Sequence, residues 1–414
     1  MRRKEIYLSV LIYPLWSLYL SFKHYRQPQA KNLFWFFCVF MGMIHIFSPE
    51  GGSGADGESY AQRLIDLNQK PISWENFSSS FYEDGAFADI YQPTITYLLS
   101  IATKNPHWLF LSFAVVFGFF YSRNSWFILE KTPKKVGIPL FFLLFYYMLI
   151  CPIWEINGVR MWTAFHVFAY GALPYLYNSD KSKLIWCFAS LLIHFSYFLP
   201  LSILLIYHFI PKSITIFLSF YIFSFFVKEL NLEITRDFFL SHAPSFLSSK
   251  AGYFNVDYAQ SIIEEKSNAN FYLGGSLMLV RWAISILIFA SCVWGKAIIK
   301  TQKSLTNIIC FSLFIYSICN ILSSIPSLGR FIGLSQFFAF ASIVLFYIHY
   351  INNNYKHKIL SWTFNVVPLL LLLPIVVKLR MGTDYYGISL FLNPFMALFV
   401  EDNQPIIQFV KSAF

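Results

Sequence analysis

Polar breaks divide the chain into a series of apolar runs. These cover residues 6–22, 33–47, 91–103, 107–129, 136–150, 158–177, 184–209, 214–227, 271–294, 305–323, 330–350, 359–377 and 387–400. A helix needs about 20 apolar residues to cross about 30 Å of hydrocarbon, and several of these runs approach or exceed that length. The pattern predicts an all-α polytopic integral membrane protein with about 11–13 membrane segments, short or re-entrant helices included. The whole chain, 1–414, reads as one membrane domain with two polar loops inserted, 48–92 and 228–270.

The breaks carry the orientation. Lys131, Lys134 and Lys135 form one cluster, Lys181 and Lys183 another, and Lys296, Lys300 and Lys303 a third. Short Lys/Arg-rich breaks belong on the cytoplasmic side. The first long loop holds Glu50, Asp56, Glu58, Asp66, Glu75, Glu83, Asp84 and Asp89 against only Arg63 and Lys70, so it belongs on the other side. It opens with a Gly-rich turn carrying Asp56 and Glu58, and a short surface helix is expected near 60–67. A parity problem arises after Lys183, because three crossings would put Lys296 outside. The simplest solution breaks 184–209 into a hairpin of two short helices turning near 194–200. Non-helical backbone at membrane depth is tolerated where protein or a wet cavity covers it.

Composition agrees. Hydrophobic residues make up 57% of the chain and charged ones 13%, with 48 Phe and 26 Tyr. Net charge is +10, but the basic residues sit between apolar runs, which points to membrane orientation and away from nucleic acid. The six cysteines lie in or beside apolar runs and form no CxxC pair, so neither a disulfide framework nor a zinc site is expected. Arg2, Arg3 and Lys4 precede the first run without a small-residue cleavage site after it, which reads as a retained helix.

Candidate chemistry centres on Arg160, at the head of an apolar run. On a helix Arg160, Thr163, Ala164, Val167 and Gly171 share a face. Its small residues let another helix approach closely. Arg281 lies about ten residues into its run, roughly 15 Å by helical rise. Arg330 sits between Gly329 and Gly333, and Arg380 follows the last long run. All four fall on the outer side of the expected topology, where guanidiniums suit a phosphate or pyrophosphate through their planar fork. Each has an ordinary alternative as an interfacial anchor. Asp56, Glu58, Glu155, His194, Asp257 and Asp384 are the candidate acids and bases there. Asp56 and Glu58 also read as solvated loop carboxylates, and His194 as a histidine bonded to backbone. His166 reads as structural. No metal-ligand cluster and no cofactor motif is visible.

Taken together, several features resemble the EpsG-type, Wzy-like polysaccharide polymerases. They are the acidic loop with Asp56 and Tyr60, the Arg160–Ala164 turn, the Ile193-His194-Phe195-Ser196 element, the late Arg330, and Asn393-Pro394. The family's Arg-Gln dipeptide is replaced here by Arg160-Met161. The resemblance implies a GT-C-like glycosyltransferase in the bacterial inner membrane. It would polymerise undecaprenyl-pyrophosphate-linked oligosaccharides at the periplasmic face, with a chain-length regulator as a further partner and no cofactor. Arg160 and Arg330 would hold the pyrophosphate, and Asp56 or His194 would supply the base. The residues themselves add Arg281, Arg380, Tyr60 and Glu155 as further candidates for substrate binding and Glu58 as a further candidate for catalysis. Two other readings remain: a transporter or flippase of a lipid-linked anionic sugar, for which internal symmetry is expected but not visible, and an external ligase or single-sugar transferase using the same donor type.

Overall fold

The computed structural model describes residues 13–47, 56–83, 86–87, 89–227, 236–237, 240–241, 270–323, 325, 328–400 and 404–413. Asp257 and most of the 228–270 loop lie outside them. Its helices shuttle between two ends. Helix α1 (Pro14–Lys23) and α2 (Ala30–Met43) precede α3 (Asp56–Asn68), α4 (Trp74–Ser79), α5 (Tyr91–Ser100) and α6 (Pro106–Leu129). Then come α7 (Ile138–Leu149), the 3-10 turn Ile153–Gly158, α8 (Val159–Asn178), α9 (Leu184–Ile193), α10 (Phe198–Phe209) and α11 (Ile214–Ser224). After the second loop follow α12 (Phe271–Val293), α13 (Lys296–Lys300), α14 (Lys303–Leu322), α15 (Phe331–Asn352), α16 (Lys358–Val366), α17 (Leu372–Gly382) and the short α18 (Pro394–Ala397) and α19 (Ile406–Ala413). A two-residue antiparallel pair, Tyr82–Glu83 with Ala86–Phe87, is the strand structure among the described residues.

Five helical stretches are long and apolar enough to cross a membrane: Ile138–Asn178, Phe271–Val293, Lys303–Leu322, Leu328–Asn352 and Lys358–Gly382. With the shorter apolar helices, they make the chain a polytopic, all-helical membrane protein. Ile138–Asn178 folds back on itself, since His166 Nε2 lies 2.9 Å from the Cys151 carbonyl. Helices α2 and α6 run antiparallel: Arg123 donates to Asn32 Oδ1 at 2.6 Å near one end, and His107 Nδ1 meets the Met43 carbonyl at 2.9 Å near the other. One end of the bundle collects the breaks carrying Lys31, Lys131, Lys183, Lys212, Lys303 and Lys358. The other receives the N-terminus of α8, the C-terminus of α17 and α3.

The 184–209 run folds as a hairpin of two short helices. Helix α9 ends at His194, whose backbone is extended (φ −152°, ψ 113°). Helix α10 then returns to the lysine-rich end, where His208 Nδ1 meets Tyr175 Oη at 2.5 Å and Tyr207 donates to the Asn307 carbonyl at 2.7 Å. Each half spans only about 15–18 Å by helical rise, which places the break partway along the bundle.

The surface helix expected near 60–67 is corrected on two counts. It begins at Asp56, so Asp56 and Glu58 occupy its first turn, where carboxylates complement the helix dipole. Its Tyr60, Ala61 and Leu64 are buried, at the spacing of one helix face, so the helix is packed rather than superficial.

Candidate functional site

Four elements bring polar side chains together at the end away from the lysine-rich breaks. The first turn of α8 supplies Arg160, the hinge between α9 and α10 supplies His194, the residue pair before α5 supplies Asp89, and α3 supplies Tyr60. His194 Nδ1 lies 2.5 Å from Asp89 Oδ2. The Phe195 N–H donates to Asp89 Oδ1 at 2.9 Å, because the broken helix leaves that amide without an intrahelical acceptor. One carboxylate thus both caps the 3-10 turn Phe195–Tyr197 and fixes the imidazole. The Ile90 N–H, donating to the Leu192 carbonyl at 3.1 Å, ties the Asp89 segment to the same hinge.

Arg160 completes the cluster. Its Nε donates to Tyr60 Oη at 3.2 Å, and its Nη1 lies 3.9 Å from Asp89 Oδ2. The Arg160 side chain is 24% exposed and that of Asp89 only 8%. Burial on its own would raise the Asp89 pKa, but the His194 hydrogen bond and charge, the Phe195 amide and the Arg160 charge outweigh it and hold the carboxyl below its ordinary value. Ionised Asp89 therefore stabilises the fold at every pH above the unfolded carboxylate range. That contribution is lost only as pH falls through the lowered folded value. Among the described residues His194 Nε2 has no hydrogen-bond partner.

Asp56 reaches this neighbourhood through two glycines. A Cβ on Gly57 would lie 2.2 Å from Asn157 Oδ1 and 3.3 Å from Phe110 Cζ, so α3 touches the turn before α8 with no room for a side chain. A Cβ on Gly158 would lie 3.8 Å from Asp56 Oδ2, which places that carboxylate beside the residue two before Arg160. Both Asp56 and Glu58 are exposed. Gly57→Ala is expected to lower activity several-fold while moving the melting temperature little. Asn157 is a side chain that can swing aside, but the swing displaces the turn under Asp56. Activity and melting curves on one purified sample check this.

Other expected residues are placed differently. Arg330 is exposed in the 3-10 turn Leu328–Arg330. It reaches the site's level because Phe331 packs on Tyr197 (ring centroids 5.5 Å apart) and Gly333 faces Trp162. Arg281 is exposed on α12. Arg380 is held by Asp384 at 3.0 Å, one turn along. Glu155 is held by Lys378 at 3.2 Å. Both pairs involve the C-terminal half of α17, Lys378 and Arg380. His166 is buried, with its Nε2 on the Cys151 carbonyl, a structural placement. All six cysteines are buried free thiols.

Sequence reasoning missed Asp89 as a site residue. Asp89 is the last of eight acids in its loop and lies 105 residues from His194, so only its position directly before an apolar run set it apart.

The fold and site thus define a polytopic membrane protein with a half-buried arginine–carboxylate–histidine cluster at one end of its bundle. The chain belongs to the EpsG family, whose model matches residues 33–388. Membership gives it a polysaccharide-polymerase-like function of glycosyltransferase type in polysaccharide biosynthesis. No curated protein and no solved structure matches the chain.

Proposed function

We propose that the chain is a GT-C-like, Wzy-like polymerase. In this reading it joins oligosaccharide repeat units carried on undecaprenyl pyrophosphate at the external face of the bacterial inner membrane. The observation that carries the reading is Arg160, fixed by Tyr60 and beside Asp89, at the end of the bundle opposite the lysine-rich breaks. By the positive-inside rule those breaks are cytoplasmic, so Arg160 faces outward. A lipid-linked donor presents its pyrophosphate near the membrane surface, where a half-buried guanidinium can take two of its oxygens at once. The leaving pyrophosphate gains charge as the glycosidic bond breaks, and a preorganised cation stabilises that charge more than it stabilises the bound donor. Arg330, at the same end, is the second cation in this reading.

A one-sided site favours this reading over transport. Beyond Arg160 and Thr163, the α8 residues Ala164, Val167, Phe168, Ala172 and Leu176 are buried and apolar, so this face of the helix offers an anion no further polar partner.

The test is reconstitution of purified protein in vesicles with an undecaprenyl-pyrophosphate oligosaccharide. A ladder of products, each longer by one repeat unit, is the expected result. A single added unit would indicate a ligase or single-sugar transferase. Movement of unaltered donor between leaflets would indicate a transporter.

A further inference from the structure

We infer that Asp89 and His194 form a carboxylate–imidazole dyad in which His194 Nε2 accepts the proton of the acceptor sugar's hydroxyl and Asp89 is the residue that positions it. The inference rests on the proposed glycosyl transfer and chooses between the two candidate bases, His194 and Asp56.

The geometry favours His194. A general base needs a lone pair aimed at the reacting group and a fixed orientation. Asp89 is almost fully buried and accepts two hydrogen bonds, from His194 Nδ1 and from the Phe195 amide, one at each carboxylate oxygen. An acceptor at Nδ1 puts the proton of the neutral imidazole on that nitrogen and leaves the lone pair on Nε2. Asp56 is exposed on the first turn of its helix, and among the described residues no comparable partner fixes its carboxylate. The hinge serves the same purpose. An unbroken helix through His194 would commit the Phe195 amide to its own backbone, and Asp89 would lose one of its two anchors.

The step balances within the groups named. The acceptor O–H bond breaks, and its proton moves to Nε2. The oxygen's electron pair forms the new bond to the donor's anomeric carbon. The old bond from that carbon to the pyrophosphate oxygen breaks, and its electron pair leaves with the pyrophosphate beside Arg160. The imidazolium then lies against the Asp89 carboxylate, which stabilises it without taking the proton. Because Arg160 Nη1 is also 3.9 Å from Asp89 Oδ2, the same carboxylate sits between the base and the anion-binding cation.

Two measurements test this. NMR of nitrogen-labelled histidine in vesicle-reconstituted protein at mildly alkaline pH, with His194→Gln identifying the signal, is expected to show Nδ1 protonated and Nε2 unprotonated. In the ladder assay Asp89→Asn is expected to lower kcat by about 10²–10⁴-fold, with the donor KM unchanged or lower because a negative charge has left Arg160's side. Asp89→Glu is expected to recover part of the loss. A protonated Nε2 in the wild-type protein would overturn the dyad whatever the assay gave. So would wild-type kcat in Asp89→Asn, or a raised KM at unchanged kcat, the mark of a purely structural role. A wild-type protein with the expected tautomer that extends no chain would sink the polymerase reading and the acceptor step with it, leaving only the orientation of the imidazole standing.

Discussion

Arg160→Lys is expected to lose about 10²–10³ in kcat, the usual loss when one preorganised donor to a developing anion is removed, while the protein still inserts and melts as the wild type does. Lysine keeps the charge and fits the first turn of α8, so the helix and its packing survive. What goes is the fork. Arg160 is braced by its Nε bond to Tyr60 Oη, which fixes the plane of the guanidinium. An ammonium offers a point charge on a flexible stem and cannot hold two oxygens of one anion in a plane. It also has no Nε with which to use Tyr60. The two effects act on the same group, so Tyr60→Phe should reproduce part of the loss in the arginine protein and add little in the lysine variant. Initial rates of ladder formation in the wild type, both single variants and the double variant measure this coupling. Wild-type rates in Arg160→Lys would remove Arg160 from the leaving-group role.

Several parts of this site were legible in the sequence, and for physical reasons. Arg160 stood out because an ionisable group at the head of a membrane helix is costly unless something receives it, and Tyr60 and Asp89 receive it. The break at His194 followed from charge parity alone, since lysines at 183 and 296 cannot share a side across three crossings. Gly171, read as a point of close helix approach, meets Cys187 and the Lys183 carbonyl. Other parts depend on contacts that no local pattern encodes. Asp89 looks like any loop acid until the hinge amide of Phe195 comes to it. Arg380 and Glu155 looked like members of the site, yet each lies within reach of an opposite charge, Asp384 and Lys378, that the fold supplies elsewhere. The first turn of α3 was read as a flexible loop because its glycines signal a turn. One of them, Gly57, instead serves a close approach to Asn157.

Gly171→Ala is the substitution expected to disturb the structure most and, through it, the site. A Cβ there would lie 2.7 Å from the Lys183 carbonyl oxygen, 2.9 Å from the Cys187 amide nitrogen and 2.7 Å from Cys187 Sγ. Two of the three are backbone atoms, so no side-chain rotation relieves the clash and α9 must move away from α8. Overpacking of this kind costs about 1–3 kcal/mol in a well-packed core. Helix α9 carries His194 seven residues beyond Cys187, while α8 carries Arg160 eleven residues before Gly171, so a shift at their crossing alters the spacing of the two groups. A displacement near 1 Å lowers a rate by about 10²-fold. The variant should therefore melt several degrees lower and lose more activity than its stability loss alone explains. Gly274→Ala is the matched control, since a Cβ at that position meets nothing within 4 Å and alanine is the better helix former. It should melt at or slightly above the wild-type temperature and keep full activity. Thermal unfolding of the two variants in the same detergent, alongside their ladder assays, gives the comparison. If Gly171→Ala matched the control in both, the close contact of α8 with α9 would not exist, and the spacing of Arg160 from His194 would have to be set by another pair of helices.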